Sequence, residues 1–181
     1  MEEKKEYTTY LRGNVVVDKT DARITFRGSI DGLVASLVRL QVEAAGQGKT
    51  ELVDELEEVR TKLYDVLYCE VQDKPCGDLF LWGMGSDEIR KRSHSPEKYF
   101  GLGHIRPHYT MGVLASGLNE LRTESRKTEL SAVRAFKNGE KVEREDIVTV
   151  LNRLSSAFYI LTYKYLPAGY DKTVSFAKSA R

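Results

Sequence analysis

Between Glu145 and Leu166 the apolar residues Ile147, Leu151, Leu154, Phe158, Leu161 and Tyr165 recur at alternating spacings of four and three. This spacing puts them on one stripe of an α-helix, the seam of a helix that packs lengthwise against others. A second wide stripe follows Thr50, through Leu52, Val53, Leu56, Val59, Leu63, Val66 and Leu67, and needs a partner of the same kind. Ile30, Leu33, Val34, Leu37, Val38 and Gln41 make a third, with Ser29 placed to cap its first turn and Gly46 and Gly48 to end it. A further helix is predicted from about Thr110 to Lys137, with Asn138 and Gly139 as its stop signal. Short connections between such helices imply antiparallel neighbours. The expectation is one soluble all-α domain over residues 1–181: a clasp over 1–28, an antiparallel helix bundle over 29–166 and a tail over 167–181.

The clasp holds two β-branched pieces, Asn14 to Val17 and Arg23 to Phe26, about a turn-like Lys19, Thr20 and Asp21. The stretch from about Val71 to Tyr109 is irregular and rich in Gly and Pro, with one short helix predicted at Ser86 to Arg92. Loops of this length are uncommon unless functional.

With 41% hydrophobic and 30% charged residues the composition is globular, and a net charge of +1 supplies no field for holding nucleic acid. No apolar run reaches the roughly 20 residues of a membrane span, and the chain opens on the charged MEEKKEY, so a cytoplasmic location is expected. Cys69 and Cys76 are expected to be reduced thiols, because one pair in a chain of this size is no disulfide framework. Neither they nor His94, His104 and His108 have the paired spacing of a tetrahedral metal site, and no metal ligand is assigned. GQGKT at Gly46 to Thr50 resembles the end of a phosphate-binding P-loop, but a helix precedes it where a strand is required, so a plain helix connection accounts for it.

Arg122, Arg126 and Glu129 lie at spacings of four and three and share one helical face, with Lys127 at its border. Taken alone, such a face is most often a solvated surface laced with ion pairs. Three strings give it context. VDKTDARITFRGSIDGLVASL, at Val17 to Leu37, is similar to V-x-K-D-D-P-R-V-x-A-Y-G-T-x-D-E-L-N, with Lys19, Asp21, Arg23, Gly28 and Asp31 in register. RTESRKTELSAV, at Arg122 to Val133, is similar to R-x-x-C-R-R-A-E-R and keeps Arg122, Arg126 and Glu129. LNRLSSAFYIL, at Leu151 to Leu161, is similar to L-N-R-L-S-D-x-L-F-x-L and keeps Asn152, Arg153 and Ser155. Together, in this order, they resemble the ATP:cob(I)alamin adenosyltransferases of the propanediol-utilisation type.

That resemblance implies an up-down, ferritin-like five-helix bundle that assembles as a homotrimer, with ATP and cobalamin as substrates held between adjacent subunits. Reduced cobalt attacks the 5′ carbon of ATP and triphosphate departs, so the protein's task is positioning and charge neutralisation. By resemblance Arg126 is the catalytic residue. Arg126, Lys127 and Glu129 would line the ATP site, Lys19 and Thr9 would contribute from the clasp, Asn152 would contact the nucleotide, and Asp31 and Arg122 would form an organising ion pair. Mg2+ would screen the triphosphate. Tyr99, Phe100 and His104 are candidates for the residue that displaces the corrinoid's lower ligand. A cobalamin-dependent enzyme or a reductase is a further partner of this reading.

The chain also departs from the pattern. Where the family has a glycine-containing phosphate loop, roughly G-D-x-G-x-T-x-L, this chain has KKEYTTYL, with only Thr9 and Leu11 in place. Leu130 replaces the helix motif's last Arg, and Val15 and Val16 stand where paired arginines are common. The alternative reading is therefore a non-catalytic or repurposed trimeric paralogue that binds a nucleotide or corrinoid, or acts as a scaffold.

Overall fold

The computed structural model describes residues 5–174, so Ser175 to Arg181 of the expected tail and the first four residues lie outside the described residues. A hairpin comes first: β1 (Thr8–Arg12) pairs antiparallel with β2 (Val15–Asp18), Thr9 opposite Val17. Then follow α1 (Ala22–Gly46), α2 (Thr50–Gln72), a small hairpin of β3 (Phe80–Leu81) and β4 (Met84–Gly85), α3 (Ser86–His94) and α4 (Pro96–Phe100). A 3-10 turn (Tyr109–Met111) leads into α5 (Gly112–Phe136), and a last hairpin, β5 (Lys137–Asn138) with β6 (Lys141–Val142), turns the chain into α6 (Glu145–Lys164).

Side-chain pairs fix the directions of the long helices. Arg23 and Arg27 at the start of α1 meet Glu70 at the end of α2, while Gln41 further along α1 meets Val53 and Glu57 near the start of α2. Thr128 of α5 donates to the Ser29 carbonyl of α1, and Arg39 pairs with Glu120. Asn152 of α6 reaches Glu129 of α5, and Lys164 reaches Glu51 and Glu55 of α2. Each pair joins an early position on one helix to a late position on the other, so α1 runs antiparallel to α2 and α5, and α6 antiparallel to both of those. The predicted antiparallel packing is present, with α3 laid against α6. Among the described residues no helix is long and apolar enough to cross a membrane.

The core is the sum of the predicted stripes. Ile30, Leu33, Leu37, Leu52, Leu56, Leu63, Ile147, Leu151, Leu154 and Phe158 are all essentially inaccessible. At roughly 1.5–3 kcal/mol for each such side chain, this burial is the main force closing the bundle. Gly117 permits one unusually close approach: a Cβ there would lie 2.6 Å from Leu40 Cδ1, so the Leu40 side chain of α1 packs directly onto the backbone of α5.

One boundary differs from expectation. α1 begins at Ala22 rather than Ser29, with the Asp21 carboxylate accepting the Arg23 N–H at 2.8 Å as its cap. Arg23 to Phe26 is therefore helix, not strand, because Phe26 continues the apolar stripe backward and packs edge-on against Phe136 at 5.4 Å. The Ser29 hydroxyl, mid-helix, donates to the Phe26 carbonyl. The strand partner of β2 is instead β1, within the stretch KKEYTTYL and the residue after it. The GQGKT stretch does form a helix connection, with Gly48 at φ +68°.

At the hairpin end of the bundle the fully buried Glu70 carboxylate lies between the guanidiniums of Arg23 and Arg27. Removing its charge strands two cations that keep only 26% and 18% of their side-chain exposure. Glu70→Gln is expected to lower unfolding free energy by about 3 kcal/mol in a denaturant titration, near the low end for a broken buried pair because the arginines retain some solvent.

Candidate functional site

The antiparallel contact of α5 with α6 leaves a cleft of about 570 Å³ along one side, bordered by the end of α3 and the loop before α5. Asn119, Arg122, Arg126, Glu129 and Leu130 line it from α5, at spacings that hold them on one face. Asn152, Ser155, Ser156 and Tyr159 line it from α6. Register runs along its length: Glu129 faces Asn152 at one end, with the Asn152 amide donating at 2.9 Å, and Arg122 sits over the Tyr159 ring at the other, 5.6 Å from the centroid. Beyond Tyr159 the wall is His94, His104, Ile105 and Pro107, with Val174 from the C-terminal segment.

The C-terminal segment is held there by backbone pairing. Arg106 donates to the Lys172 carbonyl, Val174 donates to the His104 carbonyl, and Ile105 bridges Thr173. Ile105, Met111, Ala115, Tyr163 and Tyr170 form a small second core beneath it. The irregular loop predicted to be functional is thus anchored against α5 and α6 at the end of the cleft.

Charge in the cleft is unbalanced. Arg122 is half-buried, and its Nε–H goes to the Asn119 side-chain oxygen at 3.1 Å, not to a carboxylate. Its pKa is held below the usual guanidinium value, first by burial and then by the charge of Arg126, with Tyr159 opposing. Among the described residues neither Arg122 nor Arg126 makes an ion pair. Glu129 is the one carboxylate lining the cleft, and it already accepts from Asn152. The Asn152 amide oxygen in turn accepts from Arg153 at 2.6 Å, so its orientation is fixed from both ends. The cleft therefore carries two guanidiniums against one carboxylate.

Of the residues singled out in the sequence, Arg122, Arg126, Glu129 and Asn152 meet in this cleft. Thr9, Lys19, Lys127 and Asp31 do not line it. Thr9 sits in β1 and Lys19 just after β2, on a hairpin tied to the far end of α2 by Arg12 and Asp73. Lys127 points outward and pairs with Glu124 at 2.6 Å, because one step along a helix turns a side chain by about 100°. The Asp31 and Arg122 pair is not formed within the chain: Asp31 is exposed on α1, whereas Arg122 faces α6.

Sequence reasoning passed over Asn119, Ser93, Ser156 and Tyr159. Asn119 was discoverable, since it lies three residues before Arg122 on the same face. Tyr159 and Tyr163 were discoverable too, as two hydroxyls at i and i+4 that continue the helix face of Asn152 and Ser156. His94 and His104 carried no spacing signal, because tertiary docking of the loop brings them together.

Elsewhere, Cys69 and Cys76 are free, and the Cys76 thiol is pushed up to about 11, chiefly by burial, the opposite of what a nucleophile needs. No group of three metal-ligating side chains comes together among the described residues. A single carboxylate in the cleft does not make a magnesium site.

The family model for cobalamin adenosyltransferases matches residues 2–165. The corrinoid adenosyltransferase EutT of Salmonella typhimurium is 34% identical over 159 residues, 87% of this chain. That of Escherichia coli is 33% identical over the same length. The matched region is 58% of the length of these curated relatives. A variant PduO-type ATP:corrinoid adenosyltransferase from Lactobacillus reuteri, solved with cobalamin and ATP, superposes with a TM-score of 0.66 at 19% identity, over 93% of this chain and 96% of that one, and shares the fold. The helical fold and a match that runs through both walls of the cationic cleft lead to one conclusion: the chain belongs to the cobalamin adenosyltransferase family.

Proposed function

We propose that this protein transfers the 5′-deoxyadenosyl group of ATP to reduced cobalamin, releasing triphosphate. The observation that carries the reading is the pair of guanidiniums, Arg122 and Arg126, four residues apart on α5 and facing a cleft whose one carboxylate, Glu129, accepts from Asn152 and forms an ion pair with neither among the described residues. Like charges at this spacing are unfavourable alone, and a bound polyanion reverses the sign. Arg126 is the catalytic residue, holding the departing phosphates. Asn152, oriented by Glu129 and Arg153, offers its remaining amide N–H to the nucleotide. The wall made by Ile105, Pro107 and Val174 is the more apolar one and takes the corrinoid.

The rate gain comes from holding the two substrates in line and from stabilising charge on the leaving triphosphate inside a partly desolvated cleft. Mg2+ arrives with ATP. Thr9, Lys19 and Asp31 lie on faces away from the cleft of their own protomer, and we assign them to the cleft of a neighbouring copy, where Asp31 pairs with Arg122. A head-to-tail contact of this kind makes a ring when its rotation closes. The family resemblance supports reading that ring as a homotrimer and the bundle as five-helical.

A second reading, a binding or scaffolding paralogue without catalysis, is favoured by the N-terminal segment. Glu6, Tyr7 and Thr8 form a turn and strand without glycine, so backbone amides have less freedom to approach phosphate. Anaerobic incubation with cob(I)alamin and Mg-ATP, followed by the corrinoid spectrum, separates the two: adenosylated product is expected, and its absence beside an active control leaves the scaffold.

Arg126→Ala is expected to weaken Mg-ATP binding in calorimetry by roughly tenfold or more, the size of a lost charge-assisted hydrogen bond. Because Arg126 is exposed and makes no internal pair, the same change should alter unfolding free energy by less than about 0.5 kcal/mol. Light scattering is expected to give a trimer; a monodisperse monomer would remove the shared-site assignment of Thr9, Lys19 and Asp31.

A further inference from the structure

Tyr159 touches both walls of the cleft. Its ring supports the Arg122 guanidinium at 5.6 Å, and its hydroxyl lies 3.1 Å from His104 Nδ1 and 2.9 Å from the Tyr163 hydroxyl. The directions of these bonds follow from the far end of the chain they form. A carbonyl only accepts, so Tyr163 gives its one proton to the Gly103 oxygen at 2.9 Å. A backbone N–H only donates, so the Tyr163 oxygen accepts from Ile105 at 3.2 Å. With that proton committed, Tyr163 accepts from Tyr159, and Tyr159 in turn accepts from His104. His104 Nδ1 therefore carries a proton in either charge state of the ring, and the neutral ring is the Nδ1–H tautomer. Burial, and then the bond with Tyr159, hold the Tyr163 pKa far above its ordinary value, so ionisation does not interrupt the relay near neutral pH.

The arrangement brackets one residue. Tyr163 grips the backbone on both sides of His104, at Gly103 and Ile105, while Tyr159 holds the ring between them. We propose that Tyr159 is a positioning residue that sets the separation of the two walls: its ring seats Arg122 on the anion-binding side, and its hydroxyl seats His104 on the loop side. Removing the hydroxyl frees only the loop wall. Removing the whole ring frees both.

The kinetic part of the test rests on the adenosyltransferase reading, and the spectroscopic part does not. In the full chain labelled with 15N-histidine, with His104→Gln used for assignment, two-bond proton–nitrogen correlation should report His104 as the Nδ1–H tautomer. Tyr159→Phe and, separately, Tyr163→Phe should each move His104 toward the Nε2–H form. An Nε2–H ring in the wild-type protein, or a tautomer indifferent to both variants, overturns the proposal.

In turnover, Tyr159→Phe should raise the corrinoid KM roughly fivefold, the size of one neutral hydrogen bond, and leave the Mg-ATP KM within about twofold. Tyr159→Leu should raise both. Equal changes in both constants for Tyr159→Phe would indicate general loosening of the fold and overturn the positioning role. A wild-type protein that makes no adenosylated product would refute the adenosyltransferase reading, and the tautomer measurement would still decide the relay.

Discussion

The antiparallel seam between α5 and α6 is the contact on which the site depends. Leu114, Leu118 and Leu121 on one helix and Leu151, Leu154, Phe158 and Leu161 on the other are buried in the shared core, and they fix how far one helix slides past its neighbour. The same register sets Glu129 against Asn152 and Arg122 over Tyr159. A slip of one residue would rotate the displaced side chains by about 100° and dissolve both pairs at once. The polar face of the cleft is thus positioned by the apolar face behind it.

That dependence explains which parts were legible in the sequence. The helix that became α6 could be placed because its seam is regular and Pro167 follows its end. The Arg122, Arg126 and Glu129 face was visible for the same reason, since helical geometry alone groups i, i+4 and i+7. Where α1 begins was not visible: Ser29 is a good cap in isolation, and Asp21 prevails only because Phe26 has Phe136 to pack against, a contact 110 positions away. How the loop reaches the cleft was equally hidden. His104 and Ile105 reach the cleft through Tyr163 and the C-terminal strand-like segment, and these long-range pairings have no local periodicity.

The clasp illustrates a third case, in which sequence motif and single-chain geometry diverge. Lys19 and Asp21 match the family string, and Asp21 has an evident structural task as the cap of α1. Lys19 has none comparable: its backbone N–H bonds the Tyr7 carbonyl while its side chain is exposed. Asp31 is likewise exposed on α1. Exposed residues that match the family string without a task in their own chain fit a site shared between copies, and this is the ground on which their place in a neighbour's cleft is proposed.

The protein contains its own control for the charge argument. α1 also carries two arginines four residues apart, Arg23 and Arg27, and there the fold supplies Glu70, wholly buried and bonded to both at 2.6 Å through their Nε atoms. α5 carries Arg122 and Arg126 at the same spacing, and the groups placed beside them are an amide, an aromatic ring and the cleft, whose one carboxylate, Glu129, accepts from Asn152 instead. Two guanidiniums held close together incur a repulsion that the first pair removes internally, and the second does not. The bundle can neutralise such a pair when stability requires it. At α5 the described residues supply no ion pair to Arg122 or Arg126, and this difference is the physical ground for proposing that a polyphosphate supplies the balancing charge.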